Sequence, residues 1–321
     1  MHRIATAIAI VATWLVAIAA MAAPSPYQTF KVPSGAHPHD VAPATDGGVW
    51  YTAQFQGALG KLDPVTGKTK QIPLGRGSAP HGVIVGPDGN AWVTDGGQNA
   101  MVKVDAKTEK VTVYPLPASA SGANLNTAAF DTKGILWFTG QSGYYGRLDP
   151  ATGKLEAWAA PRGYGPYGIT ATPDGGVYYA SLAGNHIAKI DTATGKSTPI
   201  DPPTKSQGAR RVWSDSKGNV WVSYWSAGMV GRYDPKAGTW KEWSLPNNAS
   251  TYAVYVDDKD QVWMSDFSNN AIVRFDPKQE KFQSFPLPSP RAAVRQILGR
   301  PGEVWLPASA TDEVFLLRTN K

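Results

Sequence analysis

Hydrophobic and polar positions alternate in short bursts along nearly all of this 321-residue chain, and the bursts recur in a fixed order. The clearest example is Pro80-His81-Gly82-Val83-Ile84-Val85-Gly86-Pro87-Asp88-Gly89-Asn90-Ala91-Trp92-Val93-Thr94-Asp95. Alternation at period two predicts a strand, Pro-Asp-Gly a tight turn, and the tryptophan segment a second strand. The pattern returns with its aromatic at Trp50, Trp92, Trp137, Tyr178, Trp221, Trp263 and Trp305, at intervals of 42, 45, 41, 43, 42 and 42 residues. A strand-rich unit of roughly 40–45 residues is the length of one four-stranded propeller blade. Seven copies predict an all-β, seven-bladed β-propeller.

One blade can be read in full over residues 79–117. Residues 81–85 make the inner strand, 91–94 the second, 100–105 the third and 111–116 the outer strand. Asp63-Pro64, Asp149-Pro150, Asp234-Pro235 and Asp276-Pro277 start the turn between third and fourth strands, where proline presets φ and stops the ladder. Outer strands end on a shared phrase, as in Ile72-Pro73-Leu74 and Phe285-Pro286-Leu287. The same phrase stands early in the chain as Tyr27-Gln28-Thr29-Phe30-Lys31-Val32-Pro33, while the chain ends after a third-strand pattern over 313–318. The N-terminal strand is therefore expected to be the outer strand of the last blade. It would close the ring and cover the edge an open ring leaves.

Composition adds to this in a few places. The 33 Gly and 26 Pro fall at turn offsets, which excludes a disordered chain. Residues 1–23 carry Arg3, an apolar run over 4–20 and the cleavage signal Ala20-Met21-Ala22. They predict a signal peptide and a periplasmic or secreted mature chain, with a single propeller domain over 24–321. The run is short for a membrane span and has no basic stop, so no stable membrane anchor is expected. The absence of cysteine means that closure does not rely on disulfides. The net charge of +6 is dispersed one or two residues per repeat, as in Gly60-Lys61-Leu62-Asp63 and Gly231-Arg232-Tyr233-Asp234. Such charges are solvated strand faces, and no nucleic-acid partner is expected. A monomer is expected.

Candidate chemistry appears when the repeats are aligned on the aromatic. Eleven residues before it, at the start of each inner strand, stand His39, His81, Asn126, Tyr167, Arg210 and Tyr252. In the seventh repeat a turn is one residue shorter, and ten back gives Arg295. Inner strands line the central channel, so these seven side chains should converge at one mouth, a concave polar site suited to a ligand. Three residues after the aromatic come Asp95 and Asp266, placed to face the same mouth, with Tyr224, Trp225 and Phe267 nearby. A histidine can act as general base near neutral pH, and a carboxylate can fix its tautomer or hold a hard cation. His37 could join the pair, whereas His186 is expected to be exposed in a loop. The aromatics are read first as blade-interface core. The paired cations Arg210-Arg211 and Arg291 with Arg295 suit a carboxylate or a polarised carbonyl. No P-loop, dinucleotide fingerprint, zinc-type spacing or nucleophile elbow is present.

The phrases Ala79-Pro80-His81-Gly82-Val83 and Gly165-Pro166-Tyr167-Gly168-Ile169-Thr170, with the recurring P-D-G and W-[FV]-T elements, resemble the virginiamycin B lyase (streptogramin lyase) family. The resemblance spans residues 27–318. It implies a propeller that opens the lactone ring of streptogramin B antibiotics by elimination, with Mg²⁺ and a histidine base. On the motifs Pro38-His39-Asp40-Val41 and Pro80-His81-Gly82-Val83 it assigns His81 as the base, His39 as a substrate-positioning residue and Asp95 as the metal ligand. The family carries its histidines in the last two blades, where this chain has Tyr252 and Arg295. The ligand expected is a small cyclic ester or a peptide-like molecule, with Asn126, Tyr167, Arg210, Tyr252 and Arg295 contacting it. Two other functions stay open: a non-catalytic propeller binding a peptide, glycan or protein, and a lactone hydrolase with a Ca²⁺-type site built from Asp95, Asp266 and Asn126.

Overall fold

The computed structural model describes residues 25–319. The chain forms seven four-stranded antiparallel sheets arranged as the blades of a propeller, each built from consecutive strands except the last. Blades 1 to 6 occupy residues 38–73, 80–115, 125–159, 166–200, 209–244 and 251–286. The blade read in detail from sequence consists of strands Pro80–Val85, Ala91–Asp95, Ala100–Val104 and Val111–Pro115. No helix of the described residues is long and apolar enough to cross a membrane. The expected signal peptide lies outside the described residues.

Blade 7 is completed from both ends of the chain, as the sequence predicts. Strands Leu298–Arg300, Glu303–Ala308 and Glu313–Arg318 are joined by Tyr27–Lys31 on the outside. The pairing runs from Tyr27 opposite Leu317 to Lys31 opposite Glu313. Phe30 stacks on Trp305 at 5.7 Å, and the Tyr27 hydroxyl donates to the Phe285 carbonyl of blade 6 at 2.8 Å. The closing strand thus ties the last two blades together and covers the outer edge of Glu313–Arg318.

The repeated aromatic is the hub of each blade. Trp50, Trp92, Trp137, Tyr178, Trp221, Trp263 and Trp305 are all buried. Burying an indole leaves its N–H in need of an acceptor. Trp137, Trp221 and Trp263 donate to Asp131, Asp215 and Asp257, each six residues earlier at the turn between the first two strands. The same carboxylates accept backbone N–H groups of that turn, so one aspartate fixes both the turn and the core aromatic.

Inner strands depart from regular pairing at their first residues. In blades 1 to 6 the register between first and second strands shifts just after the opening proline or its equivalent. In blade 1, Pro38 faces Ala53 but Val41 faces Tyr51, so the inner strand carries one extra residue. Such a bulge turns two successive side chains toward the channel instead of one.

Candidate functional site

The bulges bring a double ring of residues to the channel mouth. The first ring is the seven residues expected from sequence, and the second comes from the residue after each: Asp40, Gly82, Thr127, Gly168, Arg211, Ala253 and Gln296. In five blades a hydroxyl two residues after the aromatic holds the start of the inner strand in place; blade 4 has Ala180 and blade 7 Pro307 there. Thr52 Oγ1 accepts from the Asp40 N–H at 3.0 Å and donates to the His81 carbonyl of the next blade at 2.9 Å. Thr94 does the same between Gly82 and Asn126, Thr139 between Thr127 and Tyr167, and Ser223 between Arg211 and Tyr252. Each clamp therefore locks a mouth residue to the blade beside it. Gly168 has its own reason to be glycine: a Cβ there would stand 2.6 Å from the Arg211 Cα.

His39 and His81 lie side by side, with ring centroids 3.7 Å apart. His39 Nδ1 is 2.7 Å from Asp40 Oδ1, and Arg211 donates to the same oxygen at 3.3 Å. Because Oδ1 accepts from the guanidinium, Nδ1 of His39 carries the proton and its Nε2 carries the lone pair. His81 Nδ1 is 3.1 Å from the Asn126 carbonyl oxygen, which can only accept. His81 is thereby fixed in the tautomer whose Nε2 is a free base. Burial, then the neighbouring His39, holds the His81 imidazole well below the ordinary histidine range; Asp40 opposes this less strongly. Burial followed by Arg295, Arg211 and Arg210 does the same to His39.

The other side of the mouth is cationic and phenolic. The Tyr167 and Tyr252 hydroxyls meet at 2.8 Å, and Tyr252 reaches His39 Nε2 at 3.4 Å. Arg210 donates to the Tyr167 hydroxyl at 2.9 Å and Arg295 to that of Tyr252 at 3.4 Å. The Arg210 guanidinium lies 3.7 Å from the Tyr252 ring centroid and 4.7 Å from those of Tyr167 and Trp225. Burial alone would push the Tyr252 phenol up, but Arg210, Arg211 and Arg295 outweigh it and bring it down to about 8. Tyr167 is pushed up to about 12 by burial and by its partner Tyr252. Arginines several blades from the histidines in the repeat order are thus joined to them through two phenols.

The acidic partner of the histidines is Asp40 and not Asp95. Asp95 folds back on its own turn, accepting from Ser78 Oγ, the Ala79 N–H and both the backbone and side-chain nitrogens of Gln98. Asp266 repeats that role in blade 6 with Ser250, Ser268 and Asn269. Both are turn staples, so the carboxylates of a Ca²⁺-type hydrolase site do not converge. Asn126 turns its side-chain oxygen to Thr127 and contributes its backbone carbonyl to His81. His37 adopts a positive φ, packs its ring at a tilt on Phe55 and is bound to the Ser309 carbonyl. His186 is buried, contrary to expectation: it is the first residue of strand His186–Ile190, with Nδ1 on the Gly184 carbonyl. Trp225 and Phe267 are half-buried and pack on Tyr252, while Tyr224 belongs to the blade core with its hydroxyl on Glu242.

His39, Asp40 and His81 are the group of potential metal ligands here, with ligand atoms within 4.8 Å of one another. The set does not suit Mg²⁺. That ion demands an octahedron of oxygens, and two imidazoles with one carboxylate offer little of it. The carboxylate oxygen nearest the imidazole is shared by His39 and Arg211, and three guanidiniums repel a cation.

Fold and site together define a propeller with a histidine, phenol and guanidinium mouth. The chain belongs to the virginiamycin B lyase family, whose model matches residues 10–251. Among solved structures, it is similar to a streptogramin B lyase, with a TM-score of 0.83, 23% identity, and coverage of 90% of this chain and 96% of that one. It is also similar to a catalytically inactive histidine-to-alanine variant of virginiamycin B lyase from Staphylococcus aureus with quinupristin, with a TM-score of 0.83, 20% identity and coverage of 91% and 98%. A third likeness is to YCF48 bound to D1 peptide, with a TM-score of 0.73, 13% identity and coverage of 92% and 98%. At these identities the likenesses establish the fold. No curated protein sequence matches the chain.

Proposed function

We propose that this chain is a metal-independent carbon–oxygen lyase that opens an ester ring by elimination, with His81 as general base. The observation that carries the reading is the His81 tautomer, a neutral imidazole whose proton is pinned on Asn126 and whose Nε2 lone pair is left for a substrate. Nε2 removes the proton next to the substrate carbonyl. Arg210 and Arg295 meet the negative charge that develops on the carbonyl oxygen, the role a metal would otherwise fill. The electron pair of the broken C–H bond becomes the new C=C bond, and the ester oxygen leaves as a carboxylate. His39, packed against His81 and tied to Asp40 and Tyr252, keeps the base in place. A histidine-to-alanine variant of a similar lyase is catalytically inactive, which supports histidine chemistry at such a mouth; the family's histidines lie in the last two blades, so the choice of His81 rests on its own geometry.

Quinupristin is the test substrate, with EDTA present throughout. Wild-type protein is expected to open the lactone in EDTA, and His81→Ala to lose roughly 10²–10⁴-fold, the usual worth of a general base. Loss of wild-type turnover in EDTA and its return with Mg²⁺ would overturn the metal-free reading. A second reading, a non-catalytic binder of a peptide or glycan, is favoured by one observation: His39, His81, Tyr167 and Tyr252 close the floor of the mouth, each under a tenth exposed. Under that reading quinupristin binds, stays intact, and binds His81→Ala equally well.

A further inference from the structure

Three guanidiniums meet at the mouth, and one carboxylate answers them. Asp40 is engaged by Arg211 and His39. Arg210 and Arg295 have no carboxylate partner among the described residues; their hydrogen bonds go to the hydroxyls of Tyr167, Tyr252 and Ser309. With both imidazoles neutral, two positive charges remain unbalanced. Arg210 Nε, Arg211 Nε and Asn126 Nδ2 are buried donors with no acceptor among the described residues. Buried donors and charges left unpaired are costly, so their concentration at one place points to an anion.

The arrangement also says which anion. Arg210 is held by three aromatic faces and Arg295 by Ser309 and Tyr252, so both are pre-positioned. A guanidinium fork matches the two oxygens of a carboxylate. An ester carbonyl develops charge only in the transition state, whereas a bound carboxylate balances both cations in the resting complex as well. Taking a proton from the carbon that bears a carboxylate builds a second negative charge on the same group, and that calls for two cations. Beside them Trp225 and Phe267 meet edge to face at 5.4 Å, half-buried, an aromatic shelf able to carry a sugar ring.

We propose that Arg210 and Arg295 form a carboxylate subsite, so that besides an ester ring this chain accepts an acid whose carboxylate sits on the carbon His81 deprotonates, as inside a uronic-acid glycan. The proposal rests on the lyase reading for its chemistry but not for its binding. In the step, Nε2 of His81 takes the proton from the carbon bearing the carboxylate. The C–H electron pair forms a C=C bond to the next carbon, the glycosidic oxygen leaves that carbon with its bonding pair, and the imidazolium returns the proton to it. Nothing is oxidised or reduced.

The probes are trigalacturonate and its methyl ester, followed by calorimetry for binding and by ultraviolet absorbance of the conjugated double bond for chemistry. The acid is expected to bind wild-type protein at least 10-fold tighter than the ester, with an advantage that shrinks as salt is added. Arg210→Lys with Arg295→Lys keeps the charge and loses the fork, and the preference is expected to fall several-fold. Arg274→Gln, in the third strand of blade 6 with its guanidinium on Gln283, is expected to change nothing in this preference. Equal binding of acid and ester by wild-type protein would overturn the proposal, whatever the variants do, and so would an undiminished preference in the double variant. Tight binding of the acid with no double bond formed keeps the subsite and overturns the lyase reading for it. Opening of quinupristin without any binding of the acid does the reverse.

Discussion

At the hub position six blades carry tryptophan and one tyrosine, all buried, whereas at the mouth position the same seven blades carry two histidines, two tyrosines, two arginines and an asparagine. Both positions belong to the same repeat and are separated by ten or eleven residues. The hub is fixed by packing, since every blade must fill the same space with the same aromatic. The mouth is freed from that demand because it faces an axis and not a neighbouring sheet. What the clamps fix there is the backbone: a threonine or serine in five of seven blades holds the bulge, and the side chains are left to vary. Chemistry is found where the repeats agree in backbone and disagree in side chain.

The comparison can be broken first at the frame. Phe30→Ala removes a buried ring from the closing strand, a change worth about 3–5 kcal/mol in a core. A fall in Tm on the order of ten degrees is expected for a chain of this size. Calorimetry showing an unchanged Tm would mean that the closing strand adds nothing to stability.

A crossed pair of aspartate variants sharpens the division. Asp95→Ala orphans Ser78, Ala79 and Gln98 and is expected to cost about 1–3 kcal/mol of stability, with turnover per folded molecule unchanged. Asp40→Asn is expected to lower turnover by roughly 10²-fold through misplacement of His39 and Arg211, with a smaller change in Tm. Measured turnover falling for Asp95→Ala and holding for Asp40→Asn would restore the assignment read from sequence.

That reversal shows what the sequence could and could not reveal. Counting back from the aromatic found all seven first-ring residues, because the hairpin between hub and mouth varies by only one residue among the repeats. The same counting missed Asp40, Thr127 and Gln296, because strict alternation sends the residue after each mouth residue away from the channel. The bulge reverses this, and its trace is visible afterwards in adjacent polar pairs: His39-Asp40, Asn126-Thr127, Arg210-Arg211 and Arg295-Gln296. Asp95 is taken up by its own turn, since a carboxylate three residues before a free backbone N–H, that of Gln98, closes on it first. His186 misled for a related reason: a glycine-rich phrase reads as loop, and the strand begins one residue sooner.

A smaller effect concerns pH. Below about 8 the Tyr252 phenol is neutral and the mouth keeps its positive excess; above it the phenolate cancels one charge among Arg210, Arg211 and Arg295, with Tyr167 still protonated and His39 neutral. Affinity for trigalacturonate is expected to fall a few-fold as pH rises through about 8, and Tyr252→Phe to remove the fall. On the acid side His39 and His81 resist protonation when folded, while in the unfolded chain they accept protons near the ordinary value of 6.5. The unfolded state then binds more protons, so stability is full above about pH 6.5 and is lost as pH falls below it. A Tm that stays level from pH 7 to pH 5 would contradict the buried neutral pair.

The central claim is that a neutral His81 removes a carbon-bound proton at the mouth, and isotope labelling tests it most directly. Quinupristin is incubated with wild-type protein and with His81→Ala in water enriched in oxygen-18, and the products are weighed by mass spectrometry. Elimination by His81 predicts a ring-opened product of unchanged mass with a new C=C bond and no heavy oxygen, formed by the wild type and lost in the variant. A product heavier by one labelled water, or one formed equally well without the His81 imidazole, would contradict it.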